Sequence, residues 1–257
     1  MFIYGVQREP YLPEPYTFEF KNSYAYQYIP SIDQAINPID FHSNNNFCFS
    51  SLSGAFNEGQ AIFFELGANA TSLSSFNFFQ ATVQYRFALL NELIGDPLTL
   101  QIAPVFSFIP NYRIKDVNTD YQNTVNVSTI CSFGREIEYK NDWVAKFYGV
   151  VEGGISSGLG PFFDIEFAAL AKLSELYILK LSFLEFIGFG RKNVVNVSNF
   201  NGWSEISHQS LQIQASFSFI LGFYGNLDFS YGYRIYSKSY FQNDSTFQVS
   251  YTFPFSP

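Results

Sequence analysis

From Tyr16 the chain alternates. Tyr16, Phe18, Phe20, Tyr24, Tyr26 and Tyr28 share one parity, and Thr17, Glu19, Lys21, Ser23, Ala25 and Gln27 hold the other. Successive side chains of a β-strand point to opposite faces, so a period of two predicts a strand with one apolar and one polar face. The run exceeds the roughly 5–6 residues of an ordinary strand and is long enough to cross a bilayer at a tilt. The pattern returns at Phe79, Ala81, Val83, Tyr85, Phe87 and Leu89 against Gln80, Thr82, Gln84 and Arg86. It returns again at Leu211, Ile213, Ala215, Phe217 and Phe219 against Gln212, Gln214, Ser216 and Ser218, with Phe217 expected at mid-membrane. Weaker alternation marks 46–57, 60–71, 98–109, 123–134, 143–156, 161–173, 177–188, 225–237 and 245–255.

These segments make twelve strands, an even number, as a single-chain barrel with both termini on one side requires. The joins alternate in length. Those near 30–45, 72–76, 110–122, 157–160, 189–207 and 238–244 are longer on average than those near 58–59, 91–97, 135–142, 174–176 and 222–224. Long outer loops and short inner turns place the N-terminus on the periplasmic side. Asn57-Glu58-Gly59, Gly95-Asp96-Pro97 and Gly225-Asn226 supply turn residues at three of the short joins. Residues 1–14, stiffened by Pro10 and Pro13, are set apart as an N-terminal periplasmic extension, a tail, plug or attachment, with residues 15–257 as the barrel. Pro104 and Glu185 run against the pattern, the first as a lost ladder donor and the second as a charge on the apolar parity.

Composition agrees with a wall in lipid. Aromatics reach 20% and charged residues only 14%, against about 25% charged in soluble domains. Apolar runs such as Phe167–Ala171 fall far short of the ~18 residues of a spanning helix. The expected fold is therefore all-β, a transmembrane antiparallel up-and-down barrel. A soluble lipocalin-like barrel also alternates, but it turns apolar residues inward and needs a charged exterior.

The last segment sharpens this. Phe247, Val249, Tyr251, Phe253 and Phe255 alternate with Gln248, Ser250 and Thr252. It resembles the C-terminal strand of Gram-negative outer-membrane β-barrel proteins, departing from their pattern at Pro254 and at Ser256-Pro257. The resemblance implies residence in the outer membrane and a barrel-assembly machinery that reads the strand ending at Phe255. Met1-Phe2-Ile3-Tyr4 has neither a charged nor an apolar leader region, so an export signal is expected to have been removed ahead of it.

The polar parity carries Glu19, Lys21, Glu65, Arg86, Lys146, Glu152, Asp164, Glu166, Lys172, Lys180, Asp228 and Arg234 as candidate pore-lining residues. Six are acidic and six basic, where a wide ion-selective pore would show an excess of one sign. The charges are expected to bridge across a lumen either filled or narrow, since twelve strands lie between the filled eight-stranded barrel and the open porin. The net charge of −8 then belongs outside the span, with Asp33, Asp40, Asp116, Asp120, Glu205 and Asp244 on solvated outer loops.

Little else points to chemistry. His208-Gln209-Ser210 resembles the His-x-Ser dyad of outer-membrane phospholipases and lipid A deacylases, but Leu211 stands where those families commonly carry Asn, and His208 and Ser210 fall on the inward parity. His42 alone makes no metal site, and no cofactor motif appears. Cys48 and Cys131 allow a disulfide without requiring one. The acidic balance, with no basic cluster beyond Arg191-Lys192, argues against nucleic acid. The leading expectation is a non-enzymatic, narrow, passive channel for small polar solutes, surrounded by outer-membrane lipid. The alternatives are a non-conducting surface anchor whose loops bind a partner and, as a minor reading, a lipid hydrolase using His208 and Ser210.

Overall fold

A computed structural model describes residues 6–36, 42–140, 142–158 and 160–255. Twelve strands close into one barrel: β1 Phe18–Ile29, β2 Ser43–Asn57, β3 Gln60–Ala70, β4 Asn77–Leu90, β5 Thr99–Phe108 and β6 Val125–Tyr139, then β7 Asp142–Ser156, β8 Pro161–Ser174, β9 Tyr177–Phe189, β10 Ser207–Ile220, β11 Asn226–Lys238 and β12 Ser245–Phe255. Each strand pairs antiparallel with its neighbours in sequence, and β1 seals the ring against β12 from Phe18↔Phe255 to Tyr28↔Ser245. The rings of Phe18 and Phe255 stack at that seam, 5.7 Å between centroids.

The two faces decide the solvent. Phe20, Leu52, Phe64, Phe106, Phe133, Phe147, Phe167, Phe183 and Phe253 are exposed on the outside, while Gln27, Asn45, Gln84, Arg86, Glu152 and Asp164 are buried within. A soluble monomer rarely shows an apolar patch beyond a few hundred Å², and this belt surrounds the wall. Polar-in, apolar-out is the inverse of a lipocalin, and it is the arrangement that lipid stabilises.

The predicted segments coincide with these strands, with local differences. β6 continues to Tyr139, so the expected join at 135–142 contracts to a tight turn beyond Tyr139, entered through Lys140 at φ 54°. Glu136 and Glu138 gave that stretch a loop-like composition, yet Glu136 pairs with Lys146 on β7. A bulge in the β3–β4 ladder at Gly67/Ala68 turns Phe79 off its expected outward parity. Phe79 is 1% exposed and packs edge-on against Phe47 and Phe49 inside the barrel. Pro104 points outward, and the ladder to β4 lapses opposite it, between Gln84↔Val105 and Phe87↔Ile102. Glu185 lies on the outward face and accepts a hydrogen bond from Gln209 Nε2 at 2.7 Å. Phe217 is near the inner end of β10, stacked on Tyr177 at the start of β9, so it is not at mid-membrane; Ile213, opposite Phe183, is nearer the middle of the wall. Cys48 and Cys131 are both free.

The outer end is covered. Ser31–Ile32 pairs with Phe241–Gln242 and Ala35–Ile36 with Val195–Asn196, which draws the first, fifth and sixth outer loops together. Trp203 sits at the centre of this cap, fully buried among Phe200, Tyr240 and Phe241. Its Nε1–H donates to the carbonyl of Thr119 at 2.6 Å. The outer acidic residues correct the expectation of a solvated rim. Asp116, Asp120 and Asp244 are buried, Asp116 accepting from Thr71 and Ser74, and Asp244 accepting from Gln27 and paired in charge with Arg234. Glu205 pairs with Lys192, and Asp40 lies outside the described residues.

Candidate functional site

The N-terminal segment decides the character of the lumen. Residues 6–11 do not hang below the barrel as an extension. They enter it, and Val6 packs with Ala103, Val105, Ile130, Val150, Ala168 and Leu170 of the inner wall. The side-chain amide of Gln84 on β4 clasps the Gln7 backbone: the Gln7 N–H donates to Gln84 Oε1 at 3.2 Å, and Gln84 Nε2 donates to the Gln7 carbonyl at 2.9 Å. The Gln7 side-chain amide donates to Ser53 on β2 at 3.3 Å. The glycine at position 134 makes this approach possible, since a Cβ there would stand 2.8 Å from both Pro10 and Tyr11.

Arg8 is the anchor. Its Nη1 and Nη2 donate to Asp164 Oδ1 and Oδ2 at 2.7 and 3.0 Å, and Nη2 donates also to Glu152 Oε2 at 2.9 Å. Glu166 Oε2 lies 3.7 Å from Nη1. Glu152 and Asp164 are direct partners across β7 and β8, with Glu166 one inward position further along β8. Three carboxylates are thus clustered where, among the described residues, the wall itself offers only Lys180, which reaches Glu166 at 3.7 Å and Glu9 at 3.3 Å. Ser128 donates to Glu152 and Tyr148 to Glu166, so two of the three carboxylates are held in place independently of Arg8, while Asp164 is held by Arg8 itself. A buried charge is tolerated only when paired and hydrogen-bonded, and here the N-terminal segment supplies the pairing.

Across the lumen Arg86 of β4 donates to Gln101 Oε1 at 2.8 Å, Gln7 Oε1 at 2.6 Å, the Tyr11 carbonyl at 3.1 Å and the Glu9 carbonyl. The segment therefore bridges two walls, its guanidinium on β7–β8 and its carbonyls on β4.

No protein-family model and no curated protein matches the sequence. Solved structures match the fold. An outer membrane channel from Pseudomonas putida F1 superposes with a TM-score of 0.64 at 10% identity, covering 99% of each chain. The β-domain of the Bordetella autotransporter BrkA gives 0.52 at 12%, over 93% of this chain and 100% of that one. The translocator domain of the autotransporter NalP from Neisseria meningitidis gives 0.50 at 10%, over 93% and 88%. At such identities the likeness is one of architecture: this chain has the fold of outer-membrane β-barrels.

Among the described residues the twelve charged residues of the polar parity do not bridge to one another across the lumen as a balanced set. Glu152, Asp164, Glu166, Lys180 and Arg86 converge on the N-terminal segment. Lys146 pairs with Glu136 and Lys172 with Asp142 near the inner rim, and Arg234 pairs with Asp244 under the outer cap. Glu19 accepts from Ser53 at 3.3 Å. Glu65 is fully buried, and one of its oxygens has no partner among the described residues. Lys21 and Asp228 form no close ion pair among them either.

His208 and Ser210 are brought to one strand but not to one reaction centre. His208 Nδ1 is 2.8 Å from the Ile206 carbonyl, and its ring stacks on Tyr240 at 4.7 Å, in space left by Gly188. No hydrogen bond joins it to Ser210 among the described residues. Nearby in the outer loop, burial, with Asp120 close by, holds the Asp244 carboxyl above its ordinary range in spite of Arg234.

Proposed function

We propose that the protein is a passive, non-enzymatic channel of a Gram-negative-type outer membrane for small polar solutes, shut in this state by residues 6–11. The observation that carries this reading is the way the segment is held. Arg8 and Gln7 dock through polar and ionic contacts to a wall that water can solvate equally well once the segment leaves, so closure is reversible at modest cost. A permanent filling would be expected to use interlocked apolar side chains throughout, whereas here Val6 and Pro10 supply the buried apolar contacts and the rest of the docking is polar. The structural likeness to an outer membrane channel supports the reading without deciding it. Lipid surrounds the Phe- and Leu-rich wall, and β12 ending at Phe255 serves as the signal to the assembly machinery.

A second reading, a non-conducting anchor, draws on the aromatic cap around Trp203, which ties the first, fifth and sixth outer loops together independently of the plug. Planar-bilayer recording separates the two. Purified wild type should show rare openings, and the full-length Gln7→Ala/Arg8→Ala variant frequent ones. A folded double variant that stays silent would favour the anchor.

A further inference from the structure

The docked segment occupies the lumen as a ligand would. Arg8 presents a guanidinium to Asp164 through two parallel bonds and to Glu152 through a third, with Glu166 at its edge. A forked cation on paired carboxylates is a recognition geometry, specific for a planar guanidinium and weaker for a point charge. Arg86 is the complementary half. It is 1% exposed and forms no ion pair among the described residues; its two Nη atoms donate to amide and carbonyl oxygens, three of them from the segment. When the segment leaves, Arg86 keeps Gln101 alone.

The spacing between the halves is short. Arg8 reaches the acidic wall, and the carbonyl of the very next residue, Glu9, reaches Arg86. Vacated, the lumen offers three carboxylates against Lys180 on one side and an unsatisfied guanidinium on the other. A solute with a cationic side chain at one end and a carboxylate at the other fits both.

We infer that Arg8 is a built-in stand-in for substrate and that the open lumen binds and selects basic amino acids, arginine foremost. This rests on the channel reading above. Glucose lacks both charges, glutamate places its excess charge on the wrong wall, and agmatine, a guanidinium without a carboxylate, engages only the acidic half.

Liposome swelling with full-length Arg8→Ala, and with Arg8→Gln should the first fail to fold, tests this with arginine, glutamate, glucose and agmatine as probes. Arginine should enter at least about tenfold faster than glutamate and faster than glucose. Adding Asp164→Asn should bring the arginine-to-glucose ratio towards one, and adding Arg86→Gln should abolish the advantage of arginine over agmatine. Permeation of arginine and glutamate at equal rates would overturn the inference and leave the channel standing. Impermeability of folded variants to every probe would overturn both.

Discussion

Arg8→Ala isolates the contact on which closure depends. The side chain is 9% exposed and makes three charge-assisted hydrogen bonds of 2.7–3.0 Å to Asp164 and Glu152. Removing one partner of a buried ion pair costs about 3–5 kcal/mol, because the other partner is left uncompensated. Here Glu152 retains Ser128, and water can reach both Glu152 and Asp164 once the segment swings away, so the lower end applies. About 3 kcal/mol is roughly two decades in an equilibrium constant, and it falls on docking of the segment while the wall ladders are untouched. The assay is thiol labelling: with Cys48→Ser and Cys131→Ser as background, Gln7→Cys should react with a water-soluble maleimide about 100-fold faster in the Arg8→Ala variant. A change below about threefold, in barrels of unaltered circular dichroism, would refute the assignment of Arg8 as the anchor.

The wall and the cap make separate predictions. Phe167, 58% exposed near the middle of β8, faces lipid, so Phe167→Arg should destabilise the barrel by roughly 2–4 kcal/mol in urea unfolding. Phe217→Arg, near the inner rim, should cost distinctly less, and equal costs would contradict the placement of the belt. Trp203→Ala removes a fully buried indole and its bond to Thr119, a loss of about 3–5 kcal/mol by core precedent. It should speed proteolysis of the outer loop at 190–206 and leave the heat-modifiable gel mobility of the barrel intact.

The strands were legible because each wall position has only two environments, lipid and lumen, so every segment repeats the same two-residue code. The code fails where the interior is not polar. Phe47, Phe49, Phe63 and Phe79 all point inward, and a bulge invisible in the alternation turned Phe79 to join them. Asp116, Asp120 and Asp244 look like solvated loop residues in sequence, and only tertiary folding of the cap buries them. The inward charges are legible from parity but their partners are not, since Arg8 and Glu9 come from outside the alternating wall segments. One signal was available. Glu152, Asp164 and Glu166 occupy adjacent inward positions of neighbouring strands, and such a cluster requires a cation from elsewhere. Gln7-Arg8-Glu9 is the polar, charged stretch of an otherwise proline-rich leader, and read together the two features point to a plug.

Closure by the N-terminal segment is tested most directly by fastening it. Gln7 and Ser53 touch through their side chains, so Gln7→Cys and Ser53→Cys on the Cys48→Ser/Cys131→Ser background can be joined by a short, reducible thiol cross-linker and recorded in a planar bilayer. The predicted result is a silent barrel while the link is intact and recurrent openings within the same membrane after reduction. Equal conductance before and after reduction, or silence in both states together with silence of Arg8→Ala, would contradict the account.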